Sequence, residues 1–366
     1  MILKTSEFKY AQARKRILDA ILAGDPAADA VLPSEQTLRK QLGIGRNTLR
    51  TALQELEEEG IIIKQHGRQS RINPDALKKK KSPIRRIAWV DTTPIGQTNP
   101  IYFDIFRSFS DAAVIRNVKI DYISLTLEAM AESFFPRQHE YDGLILGEFI
   151  LQSQRYLDRI NHKNCVCVDC AYPGIPHCVK TDCYLGGQLA ARTLLESGHQ
   201  RPVYLGYAKS VVPYPPFHER FHGFSDFFAE AGHPLTPDRV FEIITPDDEN
   251  NFPGFLRRRL RILEKTDCVF ASCDRQAADI IHALRDLGFD VPEQISVIGF
   301  DGLTLSRFLS PSLTTIRQPV EEIGHKTLEI VLNPAESKSY PEIIQIPPTL
   351  QPGDSLRNRN KKDKQL

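Results

Sequence analysis

The sequence predicts an α/β protein in two parts: a small helical domain that ends in a β-hairpin, and a longer body of alternating strands and helices. Short amphipathic helical patterns and one glycine-centred hairpin fill the first 75 residues, and strand and helix patterns alternate from residue 86 onwards. The charge of the chain is also divided unevenly between these two parts.

Charge separates the basic front of the chain from an acidic body. The 366 residues have a formal net charge of +1. Residues 1–86 hold 18 Lys and Arg against 10 Asp and Glu, a net of +8, whereas residues 87–356 hold 24 against 35, a net of −11. The last ten residues add 5 against 1, a net of +4. A basic front on an acidic body indicates that one part alone contacts nucleic acid.

Composition excludes several classes of protein. The chain is 41% hydrophobic and 25% charged, which is typical of a globular protein. No apolar run approaches the roughly 20 residues that span a bilayer, and the first ten residues are polar, so we expect no membrane segment and no signal peptide. Seven cysteines in a chain of this length indicate reduced thiols and a cytoplasmic location.

Three short helices are predicted in the first domain. Ala13, Ile17 and Ile21 recur every four residues and give the first helix one apolar face. Ser34 is the expected N-cap of the second helix. A glycine turn at 43–45 leads to the third helix, which has a single apolar stripe made by Leu49, Ala52, Leu53 and Leu56.

The third helix and the hairpin carry the features of a DNA-binding domain. Strands are predicted at 61–63 and 70–72 around Gly67, and three helices followed by such a hairpin form a winged helix-turn-helix. Arg46 and Arg50 lie four residues apart, so they project from one face of the third helix, opposite its apolar stripe. Two guanidinium groups on an exposed helix suit contacts with guanine bases or phosphates.

Several stretches of this domain match a known signature. They are Leu32-Pro33-Ser34-Glu35, Gly45-Arg46-Asn47-Thr48-Leu49-Arg50, Ala52-Leu53 and Glu59-Gly60-Ile61, within residues 8–73. Together they resemble the winged-helix signature of the GntR family, in which the third helix and the wing tip contact operator DNA. The predicted DNA-contacting residues are Ser34, Glu35, Arg46, Asn47, Thr48, Arg50, His66, Gly67 and Arg68. Gly45 departs from the family, because many relatives carry Ser or Thr there.

The body alternates strand and helix patterns over roughly 260 residues, which implies parallel sheets flanked by helices and more than one sheet. We therefore predict two stacked α/β lobes. The expected strands are 87–90, 118–124, 143–146, 166–168, 203–205, 240–244, 268–271 and 296–300. We divide the chain into a winged helix-turn-helix at 1–75, a lysine-rich linker at 76–85, the lobes at 86–350, and a disordered basic tail at 351–366.

Stretches of the body also match a known pattern in their order. They are Tyr141-Asp142-Gly143-Leu144-Ile145-Leu146, Phe270-Ala271-Ser272-Cys273-Asp274, the run from Val291 to Asp301, and the run from Pro311 to Pro319. They resemble the effector-binding and dimerisation core of LacI/GalR-family regulators. That resemblance implies a periplasmic-binding-protein-like pair of lobes with crossings near Thr181, Arg317 and Ile346. A GntR domain on such a core is similar to the arabinose-utilisation repressors of Gram-positive bacteria.

The candidate effector site is a set of polar residues near strand ends. Asp169, Asp274 and Asp301 follow predicted strands, and open α/β sheets bind ligands at the carboxyl ends of their strands. Carboxylates and the guanidinium of Arg220 suit the hydroxyl groups of a sugar, and the resemblance implies that Arg220, Asp169 and Asp301 contact the effector. Cys273 stands where many relatives carry Asn. Each acidic residue has a purely structural alternative, as a helix N-cap or in a surface ion pair.

These features predict a dimeric, ligand-responsive transcriptional regulator. We expect a repressor that binds palindromic operator DNA and that a small sugar or sugar derivative releases. An activator of the same fold is the first alternative, because it would share these parts. We find no catalytic or cofactor-binding motif, so we predict neither an enzyme nor a bound cofactor.

Two further features have open interpretations. Trp89 and Phe103 could stack on a sugar face or belong to the core. Five cysteines and two histidines crowd into one segment, which raises the alternative of a metal- or thiol-responsive regulator: His162, Cys165, Cys167, Cys170, His177, Cys178 and Cys183. Their spacing matches no zinc motif, so we expect buried structural cysteines and predict no metal ligands.

Overall fold

The structure is a computed structural model that describes residues 31–64, 69–73, 85–92, 99–148, 157–162, 164–209, 214–245, 251–333 and 339–360, with residues 212, 247 and 248 and part of 13–21. The chain divides into two units, Met1–Ile84 and Arg85–Leu366. The predicted wing-tip residues His66, Gly67 and Arg68, the lysine run at 78–81 and the residues after 360 lie outside the described residues.

Unit 1 is a small helical domain with a two-stranded sheet. The described residues between 13 and 21 are helical, and α1 (Glu35–Leu42), α2 (Arg46–Glu58), β1 (Ile62–Ile63) and β2 (Arg71–Ile72) follow. β1 pairs with β2 antiparallel. The predicted apolar positions form one core, made by Ile17, Ile21, Leu32, Leu38, Leu49, Leu56, Ile61, Ile62 and Ile72.

The connection between α1 and α2 depends on its terminal residues. Ser34 caps α1 as predicted, because its Oγ accepts a hydrogen bond from the N–H of Thr37 at 3.2 Å. Gly43 ends α1 in the left-handed conformation, with φ +65°, and its N–H donates to the carbonyl of Arg39. Gly45 is the N-cap of α2 and provides no side-chain hydrogen bond. The turn therefore relies on a backbone conformation that suits glycine.

Unit 2 alternates strands and helices along its length. Its strands are β3 (Arg86–Asp91), β4 (Lys119–Ser124), β5 (Gly143–Leu146), β6 (Cys165–Val168), β7 (His177–Thr181), β8 (Pro202–Tyr207), β9 (Val240–Ile243), β10 (Cys268–Ala271), β11 (Ser296–Asp301), β12 (Thr314–Arg317), β13 (Ile343–Ile346) and β14 (Thr349–Gln351). Its helices are α3 (Ile101–Ile115), α4 (Cys183–Glu196), α5 (Pro215–Glu230), α6 (Phe252–Arg257), α7 (Leu260–Leu263), α8 (Asp274–Asp286) and α9 (Val320–Leu332). Short α, π and 3-10 turns run from Leu127 to Glu140.

The strands of unit 2 form two six-stranded sheets, one in each of two lobes. Lobe 1 has the order β13-β7-β6-β5-β3-β4 with every pair parallel. Lobe 2 has the order β14-β12-β11-β10-β8-β9, parallel except for the edge strand β14. Helices cover the sheets, with α3 packed against α9 and α4 packed against α5. This architecture confirms the predicted α/β class.

The chain passes between the two sheets three times. It leaves lobe 1 after β7, returns to it after β12 by way of α9, and leaves it again between β13 and β14. Each lobe is consequently assembled from separate stretches of sequence. The carboxyl ends of β6, β7 and β11 lie near these crossings, so polar side chains from both lobes can meet there.

The prediction of a disordered tail from residue 351 is wrong for residues 351–360. Gln351 belongs to β14, and the segment 353–360 hydrogen-bonds to lobe 2. Ser355 is fully buried; its Oγ donates to the carbonyl of Val297 and accepts from the N–H of Thr314. Backbone pairing and one buried serine hold this segment, although its composition is polar.

Trp89 is a core residue of lobe 1. It is fully buried on β3 and packs its ring against Phe106 and Phe109. Its Nε1 donates to the carboxyl group of Asp91 at 3.1 Å. Burial raises the pKa of Asp91 to about 6, although the N–H of Glu148 and other donors oppose the shift. Phe103, the other residue considered for sugar stacking, is half-exposed on α3.

We expect Gly43→Ala to destabilise unit 1 by about 1 kcal/mol, because alanine is strained at a positive φ. Amide hydrogen exchange of residues 46–58 measures this loss as faster exchange. Gly45→Ser is the matched control, since the φ of Gly45 is −69° and a Cβ there meets no atom closer than 3.9 Å. Slower or unchanged exchange in Gly43→Ala would show that the turn does not depend on the left-handed residue.

The fluorescence of Trp89, the single tryptophan, should titrate with a midpoint near pH 6 as Asp91 ionises beside the indole N–H. Because the folded-state pKa lies above the ordinary value, ionisation of Asp91 also lowers stability as the pH rises through this range. Asp91→Asn should abolish the fluorescence transition while far-UV circular dichroism stays constant. A transition that persists in this variant would assign it to another group.

Candidate functional site

The exposed face of α2 carries the basic residues singled out in the sequence. Arg46, Asn47 and Arg50 are exposed and Thr48 is partly exposed, whereas Leu49 is fully buried beneath them. The helix therefore turns its apolar stripe to the core of unit 1 and a basic, amide-bearing face to solvent. This is the arrangement that a helix needs for contact with base edges and phosphates.

Glu35 and Ser34 have structural partners on the same side of unit 1. Glu35 Oε2 lies 3.4 Å from Arg50 Nε, with both side chains about half-exposed. Glu35 thus orients the guanidinium of Arg50, while Ser34 Oγ caps α1. Of the predicted DNA-contacting set, the structure places Arg46, Asn47, Thr48 and Arg50 on one helix with Glu35 beside them.

Asp169 is the centre of a buried polar cluster in unit 2. It follows β6, has a positive φ of 69° and is fully buried. The hydroxyl of Tyr102 donates to its Oδ2 at 3.0 Å, and the hydroxyl of Tyr214 donates to the same oxygen. Its Oδ1 has no hydrogen-bond partner among the described residues. Tyr102 belongs to lobe 1 and Tyr214 precedes α5 of lobe 2, so Asp169 joins the two lobes.

Arg220 is a fully buried cation on α5. Its guanidinium lies 3.7 Å above the ring of Phe300, and its Nη1 donates to the carbonyl of Ser272 at 2.5 Å. The same Nη1 lies 3.2 Å from Asp301 Oδ1. Burial disfavours the charged form, yet the negative charge of Asp301 and other neighbours raise the pKa of Arg220 above its usual value. Nε and Nη2 have no hydrogen-bond partner among the described residues.

Two glycines place Arg220 at this depth. A Cβ at Gly187 of α4 would overlap the backbone of Arg220, and a Cβ at Gly223 of α5 would overlap the backbone of Tyr184. Only glycine allows α4 and α5 to approach so closely. The helix contact therefore determines where the Arg220 side chain enters the space between the lobes.

Asp301 links Arg220 to two of the places where the chain crosses between the lobes, after β7 and after β12. It is the last residue of β11, with a strained φ of 121°, and its Oδ1 accepts from Gln318 Nε2 at 2.8 Å. Gln318 Oε1 in turn accepts from the Thr181 hydroxyl at 2.6 Å. Burial raises the pKa of Asp301 to about 6, and the nearby Arg220 opposes that shift.

Asp274 and Cys273 differ from the other predicted effector residues. Both carboxylate oxygens of Asp274 are occupied: one accepts from the N–H of Leu303 at 2.8 Å and the other from the hydroxyl of Thr315. Asp274 therefore has a structural role in the connection between β11 and β12, and its contact with an effector stays a prediction. Cys273 is partly exposed at the N-cap of α8.

The structure adds residues that the sequence did not indicate. Tyr102, Tyr214, Thr181 and Gln318 complete what we call the interlobe cluster, together with Asp169, Arg220 and Asp301. Gln318 lies just after β12, so the rule that ligands bind at strand ends could have found it. Tyr102 approaches from α3 and Tyr214 from the residue before α5, and no local pattern marks them. A further cross-lobe ion pair joins Lys180 Nζ to Glu219 at 2.6 Å.

The cysteines of the segment at 162–183 are buried and unpaired by disulfides in the described part of the chain. All seven cysteines are free, and the five at 165–183 are buried. Burial raises the pKa of Cys165 and Cys183 to about 12, so both thiols stay protonated at neutral pH. The described residues of this segment provide no group of converging metal ligands.

Each unit of the chain contains a segment that matches a known family model. Residues 9–72 match the family model of bacterial regulatory proteins of the gntR family, and residues 191–356 match that of a periplasmic binding protein-like domain. The chain is 34% identical over 182 residues to the HTH-type transcriptional regulator GalR of Escherichia coli strain K12. The aligned residues cover 49% of this chain and 51% of that protein. It spans about half the length of the first curated relatives that it matches.

One relative matches over nearly the full length. The arabinose metabolism transcriptional repressor of Geobacillus stearothermophilus is 25% identical over 355 residues, which cover 92% of this chain and 94% of that protein. The crystal structure of a LacI family transcriptional regulator from Enterococcus faecium with bound ribose shares the fold, with a TM-score of 0.60, 21% identity, and coverage of 75% of this chain and 99% of that chain.

None of the described helices is both long and apolar enough to cross a membrane. The homologues are transcriptional regulators, including repressors. Residues 9–72 thus match a gntR-family model and residues 191–356 match a periplasmic binding protein-like model, and the body shares its fold with a LacI family regulator.

Proposed function

We propose that this protein is a ligand-responsive transcriptional repressor that binds a palindromic operator as a homodimer and is released by a small carbohydrate. The observation that carries the proposal is the pair of unsatisfied groups in the interlobe cluster, on Asp169 and Arg220, in a chain whose other unit is a gntR-family domain. The relative that matches over nearly the full length is named for arabinose metabolism, which supports a sugar-utilisation operon as the target.

The DNA contact is assigned to the exposed face of α2. Arg46 and Arg50 project from one side of the helix, and Glu35 lies 3.4 Å from the Arg50 guanidinium. A bidentate arginine contact with guanine distinguishes one base pair from the others in the major groove. Two copies of unit 1 in a dimer would contact two half-sites, which is why a palindromic operator is proposed.

The effector contact is assigned to the free atoms of the interlobe cluster. Among the residues that the structure describes, Arg220 Nε and Nη2 are two parallel donors without an acceptor, and Asp169 Oδ1 is an acceptor without a donor. Adjacent hydroxyl groups of a sugar provide both functions at once. A buried polar atom without a partner costs about 1–3 kcal/mol, so a ligand that satisfies these atoms gains that free energy.

Effector binding at the interlobe cluster would affect the relative arrangement of the two lobes, because the cluster contains residues of both lobes. Tyr214 and Asp169 join opposite lobes, as do Lys180 and Glu219. A sugar that replaces or extends these contacts changes the relative free energies of the lobe arrangements. The sugar can release DNA only if it binds the lobe arrangement of low operator affinity more tightly than it binds the arrangement of high operator affinity. The relatives are regulators, which supports a binding role for this cleft rather than a catalytic one.

We expect Arg46→Ala to weaken specific operator binding about tenfold or more, as for one lost bidentate base contact of about 1–3 kcal/mol. Palindromic sites selected from a random DNA pool by the wild-type protein provide the ligand, and fluorescence anisotropy measures the affinity. The affinity of the wild type should also fall steeply with salt.

Arg137→Ala is the control for the operator experiment. Arg137 is an exposed arginine of unit 2 that pairs with Glu140 at 2.8 Å, so its loss should leave DNA affinity unchanged. Equal affinities for the wild type and Arg46→Ala would refute the assignment of α2 as the DNA-contacting helix.

We expect Arg220→Lys to weaken effector binding by about 10- to 100-fold, because lysine keeps a charge near Asp301 but lacks the two parallel donors. The effector is first found as the compound that raises Tm in a panel of pentoses, hexoses and their phosphates. Titration calorimetry of that compound then measures the affinities of both proteins.

Arg192→Lys is the matched control for the effector experiment. Arg192 also lies over a phenylalanine ring, 5.4 Å from the ring centre of Phe227, but it is exposed on α4. Its variant should bind the effector like the wild type. Undiminished effector affinity in a folded Arg220→Lys protein would remove the interlobe cluster as the binding site.

A further inference from the structure

A second polar cluster lies at the opposite edge of the lobe 2 sheet, where its strands begin. His199 follows the turn after α4, Asp267 immediately precedes β10, and Cys268 is the first residue of β10. All three side chains are buried, and one potential ligand atom from each lies within 4.8 Å of the others. This is the one such grouping among the described residues.

The orientation of His199 leaves a nitrogen lone pair inside this cluster. Its Nε2 lies 2.9 Å from the carbonyl of Arg357, which can only accept, so the proton is on Nε2. Nδ1 is therefore the unprotonated nitrogen. Within the part of the chain that the structure describes it has no hydrogen-bond partner, and it lies 3.8 Å from Asp267 Oδ1. Two lone pairs that face each other in a buried space are unfavourable unless a cation lies between them.

Asp267 is already held as a carboxylate. The backbone N–H of Gln200 donates to Oδ2 at 3.2 Å and that of Arg201 donates to Oδ1 at 3.0 Å. Burial favours the neutral acid, yet these donors keep the pKa of Asp267 below its ordinary value. The Cys268 thiol also hydrogen-bonds to this carboxylate, and metal binding would replace that bond with one bond from each group to the metal.

We propose that His199 Nδ1, Asp267 Oδ1 and Cys268 Sγ bind one zinc ion. One imidazole nitrogen, one carboxylate oxygen and one thiolate sulfur are the ligand types that zinc takes, and water completes the tetrahedron. The Cys268 thiol gives up its proton to solvent on binding, so the thiolate and the carboxylate balance the two charges of the metal. The nearby Arg201 side chain, 3.5 Å from Asp267 Oδ2, contacts the oxygen that the metal does not use.

The bond from His199 to Arg357 gives this site a structural role. A zinc-bound histidine commonly donates its other N–H to a carbonyl, which orients the ring. Here that carbonyl belongs to the segment 353–360, which hydrogen-bonds along lobe 2. The metal would therefore join the turn after α4, the start of β10 and this C-terminal segment. The site is distinct from the interlobe cluster, which lies at the carboxyl ends of the strands.

Metal counting on the full chain tests the proposal. The protein is stripped with a chelator, reloaded with Zn²⁺ alone, passed through gel filtration and analysed by mass spectrometry of the metal. We expect one zinc ion per chain in the wild type and loss of that ion in Cys268→Ala. Zinc should also raise the Tm of the wild type by about 5 °C at a hundred times its Kd, with no rise in Cys268→Ala.

Cys165→Ala is the matched control. Cys165 is likewise the buried first residue of a central parallel strand, β6 of lobe 1. It should keep one zinc ion and the Tm increase. A wild type that retains no zinc after reloading, or a Cys268→Ala protein that retains as much as the wild type, overturns the proposal. So does loss of zinc in Cys165→Ala.

A measurement on the wild type alone covers the case in which Cys268→Ala does not fold. X-ray absorption of the zinc-loaded protein should show one sulfur at about 2.3 Å, with nitrogen and oxygen as the other ligands. The cobalt-substituted protein should show a thiolate-to-cobalt charge-transfer band. A metal shell without sulfur, or with more than one sulfur, would refute the assigned ligands.

Discussion

The guanidinium of Arg220 is a positive charge without access to solvent, and much of unit 2 is arranged around it. Asp301, the carbonyl of Ser272 and the ring of Phe300 surround it on one side. Removal of either Arg220 or Asp301 would leave the other ion buried and unpaired, at a cost of several kcal/mol in stability. The close approach of α4 and α5 at their glycines sets the position of this side chain, and its charged partner Asp301 has a strained backbone conformation.

The sequence predicts the fold class well because most central strands are buried on both faces. Such strands appear as continuous apolar runs, for example Gly143–Leu146 and Cys268–Ala271. Four strands were not predicted from the sequence: β7, β12, β13 and β14. They carry polar residues such as Lys180 and Thr315, whose side chains form ion pairs and hydrogen bonds at the strand ends. A strand that supplies polar contacts loses the apolar pattern by which it would be recognised.

Prediction of the candidate site has a similar physical limit. The strand-end rule predicts that Asp169, Asp274 and Asp301 lie at one edge of their sheets, but it does not give the direction of a side chain. Asp274, for example, hydrogen-bonds to the β11–β12 connection. Tyr102 on α3 and Tyr214 before α5 reach Asp169 from positions that are distant in sequence. Local patterns carry no information about such contacts, because tertiary packing alone brings these side chains together.

The three crossings between the lobes have a consequence for synthesis of the protein. Unit 1 is contained in the first 84 residues, whereas lobe 1 needs β13 and lobe 2 needs β14 from the far end of the described chain. Chains emerge from the ribosome in order, and domains fold as their residues become available. A nascent chain therefore holds a complete helix-turn-helix unit while neither sensing lobe can close its sheet. During that interval the unfinished sheets have exposed strand edges, which must be kept from pairing with other chains.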